Sequence, residues 1–272
     1  MKSFFILLLS LPIASISFAQ TTDWKKQQLK GKVKSFKAHQ TYRYIKDGAF
    51  TPWARSSSTL SLFDNKGRTT EYTDSNTLWS YKVKYAYNEK EKKASISNFD
   101  REGKPTTTKE YKYDDNGNKI EEIEYDKEGK QSRHYTYTYD SKGNNTMLIN
   151  YKTDGTMYSK TTWTYDDLGN ATAYKLETPG YATSEQKYTY DNKGNKIEEI
   201  WISRGVVDFR LVWTYDEYGN KIKEMKYKKQ DTFLDTVTWR YEYDSKGNWT
   251  KKTESTSKGE DFSIDERVIT YF

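Results

Sequence analysis

The chain has 272 residues, a formal net charge of +6 and no cysteine, which excludes disulfide bonds and thiol chemistry. Only 34% of the residues are hydrophobic while 16% are aromatic, so Tyr, Trp and Phe must supply most of any core. Lys/Arg and Asp/Glu are interspersed rather than grouped in blocks. This pattern indicates a solvated surface and argues against nucleic acid as a partner.

Residues 1–19 have the pattern of a secretory signal peptide. Lys2 gives a positive start, Phe4–Leu11 is apolar, and a Ser-Phe-Ala cleavage site ends at Ala19. We therefore predict cleavage after Ala19, a single mature domain at 20–272, and export to the periplasm or the cell exterior. No later stretch is apolar enough to predict a transmembrane helix. Loss of the peptide lowers the net charge from +6 to +5.

The mature chain begins with a short segment that differs from the rest. Residues 23–30, ended by Gly31, predict one or two helical turns that cap the first strand. The following region, residues 32–110, then carries loose copies of a turn pattern that becomes regular further on. These degenerate copies lie at 63–68, 87–88 and 99–103.

Residues 111–253 contain six clear copies of one motif, a Tyr-Asp pair followed by Gly-Asn. The copies start at steps of 26, 26, 25, 25 and 28 residues, and a fixed period of this size indicates a repeat architecture. The Asp suits an Asx turn, and the Gly suits the left-handed position of a G1-bulge hairpin. The predicted turn residues are Tyr113, Asp114 and Gly117; Tyr139, Asp140 and Gly143; Tyr165, Asp166 and Gly169; Tyr190, Asp191 and Gly194; Tyr215, Asp216 and Gly219; Tyr243, Asp244 and Gly247.

Each repeat unit also contains a second, looser turn. Glycines such as Gly129 fall between the motif glycines, so each unit holds two turns and two strands. In 135–139 Tyr alternates with Thr, which predicts a strand with one aromatic and one polar face. The return strands are less regular, because Ile120 and Ile123 do not share a parity. We predict a β-bulge near 121–122.

These patterns predict an all-β fold, an antiparallel meander of repeated β-hairpins. At this pitch the chain from 32 to 272 holds about eighteen strands in one domain. Sheets twist, and a long sheet with one aromatic face must bury that face. The sheet can close into a barrel, coil into a superhelix or fold into two layers. Turns that alternate between two edges suit all three.

The repeated Tyr-Asp-x-x-Gly-Asn resembles the YD repeat of the Rhs and teneurin class. The resemblance covers most of the mature chain and is strongest over 111–253. In that family the hairpins wind into a spiralling shell, which encloses a C-terminal toxin or serves cell-surface recognition. This chain departs from the family in two ways. Gly-Asn replaces the frequent Gly-Arg except at Gly67-Arg68, and the strand-like 267–272 has no toxin-sized extension after it. The resemblance implies a short exported bacterial member without a toxin domain.

No catalytic, cofactor or metal site is predicted. The sequence has two histidines, His39 and His134, no cysteine cluster for zinc and no nucleophile elbow. The oxygen-rich 114–118 turn lacks the later carboxylate that a calcium loop needs in a fixed position. The neighbours Glu121 and Glu122 should point to opposite faces of a strand, so they cannot flank one glycosidic bond. We expect no enzyme; a glycosidase-like enzyme with acids from distant strands stays the alternative.

The function that the sequence favours is an exported scaffold for surface recognition or binding, with a polysaccharide or a surface protein as partner. A carbohydrate- or cell-wall-binding module is the more specific alternative, because exposed Tyr and Trp can stack on sugar rings. Most aromatic residues are assigned to the core. The candidates for ligand stacking fit the aromatic stripe least well, and they are Trp53, Trp201 and Trp249.

An outer-membrane β-barrel is a further alternative. The terminal Tyr271-Phe272 resembles the terminal aromatic residue of such barrels. A lipid-facing band must be apolar, whereas Arg133, Ser184 and Gln186 fall on the aromatic face of their strands. The sequence does not define an oligomeric state.

Overall fold

The computed structural model describes residues 23–46, 49–76 and 80–272. The predicted signal peptide lies outside the described residues. Within the described ranges, no helix has the length and apolar character needed to cross a membrane. The first element within the described residues is one short helix, α1 (Asp23–Lys26). It is shorter than the predicted 23–30 segment, since Gln28 adopts a positive φ of 55° that ends helical geometry.

Beyond α1 the described residues form twenty strands, and eighteen of them belong to one sheet. A three-residue 3₁₀ turn at Lys229–Asp231 precedes the longest strand. In chain order the strands are β1 (Val33–Tyr42), β2 (Ile45–Lys46), β3 (Ala49–Phe50), β4 (Ala54–Phe63), β5 (Thr69–Ser75), β6 (Ser80–Tyr87), β7 (Lys93–Phe99), β8 (Pro105–Tyr113), β9 (Lys119–Tyr125), β10 (Gln131–Tyr139), β11 (Asn145–Tyr151), β12 (Met157–Tyr165), β13 (Ala171–Glu177), β14 (Ser184–Tyr190), β15 (Lys196–Ser203), β16 (Val206–Tyr215), β17 (Lys221–Lys228), β18 (Thr232–Tyr243), β19 (Trp249–Ser255) and β20 (Asp261–Tyr271).

The large sheet closes on itself. From β4 to β20 each strand pairs antiparallel with the next one, and β1 pairs with both β4 and β20. The short β2–β3 hairpin lies in the connection between β1 and β4. The predicted antiparallel meander is therefore confirmed, and among the three predicted shapes the structure is a barrel of eighteen strands. The spiralling shell that the family resemblance implied is not observed, because the β1–β20 pairing leaves no open edge.

At the seam β20 and β1 pair in the same way as the two strands of a hairpin, although they are the last and the first strand of the sheet in chain order. Tyr271 ends β20 as the motif Tyr ends other strands, and the Phe272 N–H donates to the Lys32 carbonyl at 2.9 Å. Gly31 has a φ of +78°, within the range of the turn glycines. Tyr271, which at first suggested a terminal aromatic of an outer-membrane barrel, thus occupies a repeat position at the seam.

The two ends of the barrel carry different turns. We call the end that holds the Tyr-Asp turns the motif rim; its turns follow β4, β6, β8, β10, β12, β14, β16 and β18. The opposite rim holds the looser turns and the β2–β3 hairpin. Strands of seven to twelve residues connect the rims, and side chains alternate between an inward and an outward face.

A β-bulge beside each tight turn decides which side chains point inward. Tyr113 pairs with Lys119 and Lys112 pairs with Glu121, so Ile120 is left unpaired. The bulge lies one residue before the predicted position. Its effect is to put the first and fourth residues of the return strand on the same face as Tyr113. The same unpaired position recurs at Ile197 and Ile222.

The purely apolar core is small and lies at the seam, below the motif rim. Leu29, Val33, Phe36 and Phe63 are buried there, with Trp24 of α1 packed against them. The Trp24 indole N–H donates to the Val33 carbonyl at 2.7 Å, which anchors α1 on the barrel. Elsewhere most inward aromatic side chains are half-buried and lie among charged groups.

Candidate functional site

The repeated Asp holds its own turn. In the third clear copy, one Asp166 oxygen accepts the N–H groups of Leu168 at 3.0 Å and Asn170 at 2.8 Å. The other oxygen accepts the Asn170 side-chain amide at 2.9 Å. The Asn170 side chain and backbone hold the pKa of Asp166 below its usual value. With Gly169 at a φ of +82°, these bonds account for the Asp, Gly and Asn of the motif as turn-forming residues.

The repeated Tyr joins neighbouring hairpins. The Tyr165 hydroxyl donates to the carbonyl of Asn145, the first residue of the preceding return strand, at 2.5 Å. Burial raises the pKa of Tyr165 to about 12, so the phenol stays a donor at neutral pH. The same bond runs from Tyr87 to Thr69, Tyr113 to Lys93, Tyr139 to Lys119, Tyr190 to Ala171 and Tyr215 to Lys196.

Near the seam the motif Tyr changes partners. The Tyr243 hydroxyl donates to Asp216 at 2.8 Å and accepts from the Asn220 amide at 2.8 Å. Tyr271 bonds in the same way to the next Asp and Asn, Asp244 and Asn248. The structure thus places all six predicted Tyr, Asp and Gly sets at the motif rim.

The inward face carries ion pairs set between aromatic rings. Glu122, only 8% exposed, accepts hydrogen bonds from Lys119 at 2.7 Å, Lys109 at 3.1 Å and Tyr137 at 2.9 Å. The Lys119 ammonium also lies 4.1 Å from the Tyr137 ring centroid. Burial alone would raise the pKa of Glu122, but the two ammonium groups bring it below its usual value. This carboxylate is therefore a counter-ion within the wall.

Four repeats further along, one lysine lacks such a counter-ion. Lys196 pairs with Glu199, but Glu224 accepts the Trp213 indole N–H at 2.7 Å instead. Lys221 lies 3.8 Å from the Trp213 ring centroid, and among the described residues its ammonium has no ion pair or hydrogen bond. Burial lowers the pKa of Lys221 to about 8.

A second inward cation lies near the seam. The Arg267 guanidinium is 3.3 Å from the Trp249 ring centroid and 5.0 Å from that of Phe36. Its Nε is buried with no hydrogen-bond partner in the described part of the chain. Burial lowers the pKa of Arg267 to about 10. The inward face here combines positive charge with aromatic rings.

The outward face of the same strands is charged and more exposed. Glu121 pairs with Lys112 at 2.5 Å and with the His134 ring at 2.8 Å. Its neighbour Glu122 faces inward, so the two adjacent carboxylates lie on opposite faces of β9 as the alternation predicts. They cannot flank one bond.

A concave site lies at the motif rim, between the N-terminal segment and the last turns. Its volume is about 380 Å³. The segment after α1 crosses to these turns: the Gln28 amide donates to the Gly219 carbonyl, 191 residues away, at 3.4 Å. Tyr218 and Tyr243 have ring centroids 5.1 Å apart. The cavity is lined by Trp24, Gln28, Leu29, Lys30, Tyr218, Asn220, Tyr243, Gly247 and Trp249.

The three Trp residues proposed for ligand stacking lie in different environments. Trp53 is 41% exposed and stands near the opposite rim, with Arg43 5.0 Å from its ring centroid. Trp201 is half-buried and stacked on Phe209 with a centroid distance of 5.0 Å. Trp249 is half-buried and lines the rim cavity. The structure does not bring the three together.

The opposite rim has a second concavity, of about 500 Å³. Its lining mixes the exposed apolar residues Tyr181, which is 78% exposed, and Val206 with the charged residues Arg204, Asp208 and Lys229. Over the described ranges, no group of three or more His, Cys, Asp or Glu side chains could hold a metal ion. The Asp74 carboxyl has one buried oxygen without a partner in those ranges, and burial raises its pKa.

The sequence analysis did not identify several residues of the site. The N-terminal residues Trp24 and Lys30 carry no repeat signal, and they reach the cavity through long-range packing. The inward Lys-Glu pairs do have a signal, because Lys follows Gly-Asn and Glu stands three positions later. A Lys and a Glu three positions apart lie on the same face of a strand only because a bulge stands between them, and the sequence analysis did not apply its predicted bulge to this spacing.

No protein-family model matches the sequence, and no curated protein matches it. Among solved structures, a porin-like protein from Bacteroides uniformis ATCC 8492 is similar, with a TM-score of 0.48 and 14% identity. The match covers 89% of this chain and 99% of that one. A porin-like protein from Bacteroides vulgatus ATCC 8482 has a TM-score of 0.34 and 9% identity, over 88% of this chain and 98% of that one.

A third similar structure is TcdB2-TccC3 without its hypervariable C-terminal region. The TM-score is 0.30 and the identity 12%. The match covers 82% of this chain, which spans only 15% of that much longer chain. Similarities of this size do not transfer a function.

Proposed function

We propose that this protein is an exported, non-enzymatic binding protein of the YD-repeat type, and that its motif-rim cavity binds carbohydrate. The observation that carries the proposal is the lining of that cavity. Trp24, Tyr218, Tyr243 and Trp249 offer aromatic surface, and the amide groups of Gln28 and Asn220 lie beside them. The barrel serves as the rigid scaffold for these groups.

The composition of the lining suits a sugar. A volume of about 380 Å³ falls in the range of about 300–1,000 Å³ that is usual for small-molecule sites. Aromatic rings offer flat apolar surface, and the exposed Gln28 side-chain amide can both donate and accept hydrogen bonds with hydroxyl groups. Tyr218 is 52% exposed, so its ring is accessible to a ligand.

The inward carboxylates support binding rather than hydrolysis. A glycosidase needs one carboxylic acid with a raised pKa close to a second carboxylate. Glu122 is held by Lys119 and Lys109, and Glu199 by Lys196, so both serve as counter-ions. The glycosidase-like alternative therefore lacks a candidate acid pair in this part of the wall.

The outward charges support a barrel surrounded by water. A lipid-embedded barrel carries an outward apolar band about 25 Å tall. On β8, β9 and β10 the outward face instead presents Lys112, Glu121 and His134. This is the observation that favours the binding scaffold over the outer-membrane alternative.

Titration calorimetry of the mature protein against a panel of bacterial and host polysaccharides tests the proposal. Tryptophan fluorescence gives a second readout, since Trp24 and Trp249 line the cavity. We expect saturable binding to one glycan, lost in Tyr218→Ala and retained in the matched control Tyr181→Ala. Tyr181 is 78% exposed at the opposite rim. Equal binding by both variants, or no binding to any glycan, would contradict the proposal.

A further inference from the structure

The inference rests on the proposed function and names the ligand class of the same cavity. We propose that the bound sugar carries a carboxylate, as a uronic acid residue does, and that Lys30 is the group that recognises this charge. The aromatic rings provide affinity for the sugar ring. Lys30 provides the selection for an acidic sugar over a neutral one.

The charge of the lining is the first observation. Of the nine lining residues, Lys30 is the one with a formal charge, and no Asp or Glu is among them. This stands out in a chain with 39 acidic residues. The nearby Asp216 already accepts hydrogen bonds from the Tyr243 hydroxyl and the Asn220 amide. A ligand carboxylate in the cavity thus meets one cation and no free anion in the lining.

The second observation is that hydrogen bonds fix the backbone of Lys30. Its N–H donates to the Asn248 side-chain oxygen at 2.6 Å, and the Asn248 amide donates to the Lys30 carbonyl at 2.8 Å. Asn248 itself is buried and is held by Tyr271 at 2.7 Å. The seam of the barrel therefore positions the lysine at the cavity, which reduces the entropy lost when it binds a ligand.

The third observation concerns the ammonium group. The Lys30 nitrogen lies 4.7 Å from the Tyr218 ring centroid, and in the described ranges it has no carboxylate within ion-pair distance. It is free to pair with an anion. A sugar packed on Tyr218 would bring its carboxylate next to this nitrogen. Arg267, which contacts Trp249 at 3.3 Å, adds positive potential on the same side of the barrel.

The test compares charged and neutral forms of one sugar by titration calorimetry. The probes are oligogalacturonate, its methyl ester and the neutral galactose oligomer, with wild type, Lys30→Gln, Lys30→Arg and the control Lys34→Gln. Lys34 is an exposed lysine outside the lining, so its loss gives the same change in net charge. Melting temperatures verify that each variant is folded.

We expect wild type to bind the uronate about tenfold more tightly than the ester, since a charged hydrogen bond is worth about that much. Lys30→Gln should lose this preference, Lys30→Arg should keep it, and Lys34→Gln should match wild type. High salt should weaken the preference. If Lys30→Gln retains the preference, or if all three sugars bind equally, the inference is wrong while carbohydrate binding stands. If none of the sugars in the wider panel binds, both proposals fail.

Discussion

The adjacent residues Glu121 and Glu122 give a sharp test of which face of the sheet is inward. We consider Glu122→Gln, with Glu121→Gln as the matched control, because the two changes are chemically identical and one residue apart. Glu122 is buried, and its carboxylate accepts hydrogen bonds from Lys119 at 2.7 Å, Lys109 at 3.1 Å and Tyr137 at 2.9 Å. Glu121 pairs with Lys112 on the outward face.

The expected magnitudes differ several-fold. Removing one partner of a buried ion pair costs roughly 3–5 kcal/mol, because it leaves an uncompensated buried charge. The destabilisation by Glu122→Gln should lie near the lower end of this range, about 3 kcal/mol, because the amide keeps one hydrogen-bond acceptor. An exposed ion pair is worth about 0.2–1 kcal/mol, so Glu121→Gln should cost less than about 1 kcal/mol.

Equilibrium urea unfolding at neutral pH measures both free energies. The urea concentration at the unfolding midpoint should fall strongly for Glu122→Gln and little for Glu121→Gln. The slope of the unfolding free energy against urea concentration should stay unchanged. Equal shifts for the two variants would refute the bulge at Ile120 and the inward ion pairs that depend on it. A larger shift for Glu121→Gln would mean that the faces are assigned the wrong way round.

Three further predictions concern the turns, the hairpin ladder and the inner wall. Tyr215→Phe removes the hydroxyl that donates to the Lys196 carbonyl at 2.6 Å and should cost about 1–3 kcal/mol, whereas Tyr181→Phe should be neutral, both read by urea unfolding. Gly169→Ala should lower the melting temperature more than Gly155→Ala, because both positions have positive φ but only the first places a new Cβ 3.3 Å from Asn144. The depressed pKa of Lys221, about 8, means that its charged form is disfavoured in the folded state, so a stability cost is present below pH 8 and is relieved as the pH rises toward 10.5. NMR titration of the ¹³C-methylated amine should give a midpoint near 8, and Lys221→Met should be more stable than wild type at neutral pH; an ordinary lysine pKa would contradict the buried position.

The hairpins were predictable because their signals are local. Asp166 and Gly169 determine a tight turn within five residues, and the alternation of 135–139 defines a strand. Counting these units gave about eighteen strands, the number that the main sheet contains. Each step depends on residues close in the chain, where steric and hydrogen-bonding preferences act directly.

Closure and the rim cavity were not predictable, because both depend on residues far apart. The seam joins β1 to β20, and the choice between barrel, superhelix and two layers depends on twist summed over all strands. The Gln28 side chain donates a hydrogen bond to Gly219, 191 positions away in the chain, and no sequence pattern in either segment predicts this contact. The polar inner wall was missed for a third reason. The bulge at Ile120 changes the parity of the return strand, which moves Lys119 onto the inward face.

The measurement that tests the closed barrel most directly is disulfide formation across the seam. Lys37 of β1 pairs with Val268 of β20, and the protein has no cysteine of its own. Paired antiparallel residues lie about 4.5–5.5 Å apart between Cα atoms, within reach of a disulfide. The Lys37→Cys, Val268→Cys variant should oxidise within one molecule, while Lys37→Cys with Lys112→Cys should not. In an open sheet the two edges would be roughly 80 Å apart at about 4.8 Å per strand. Free thiols or only intermolecular bridges in the first variant would contradict the closed barrel.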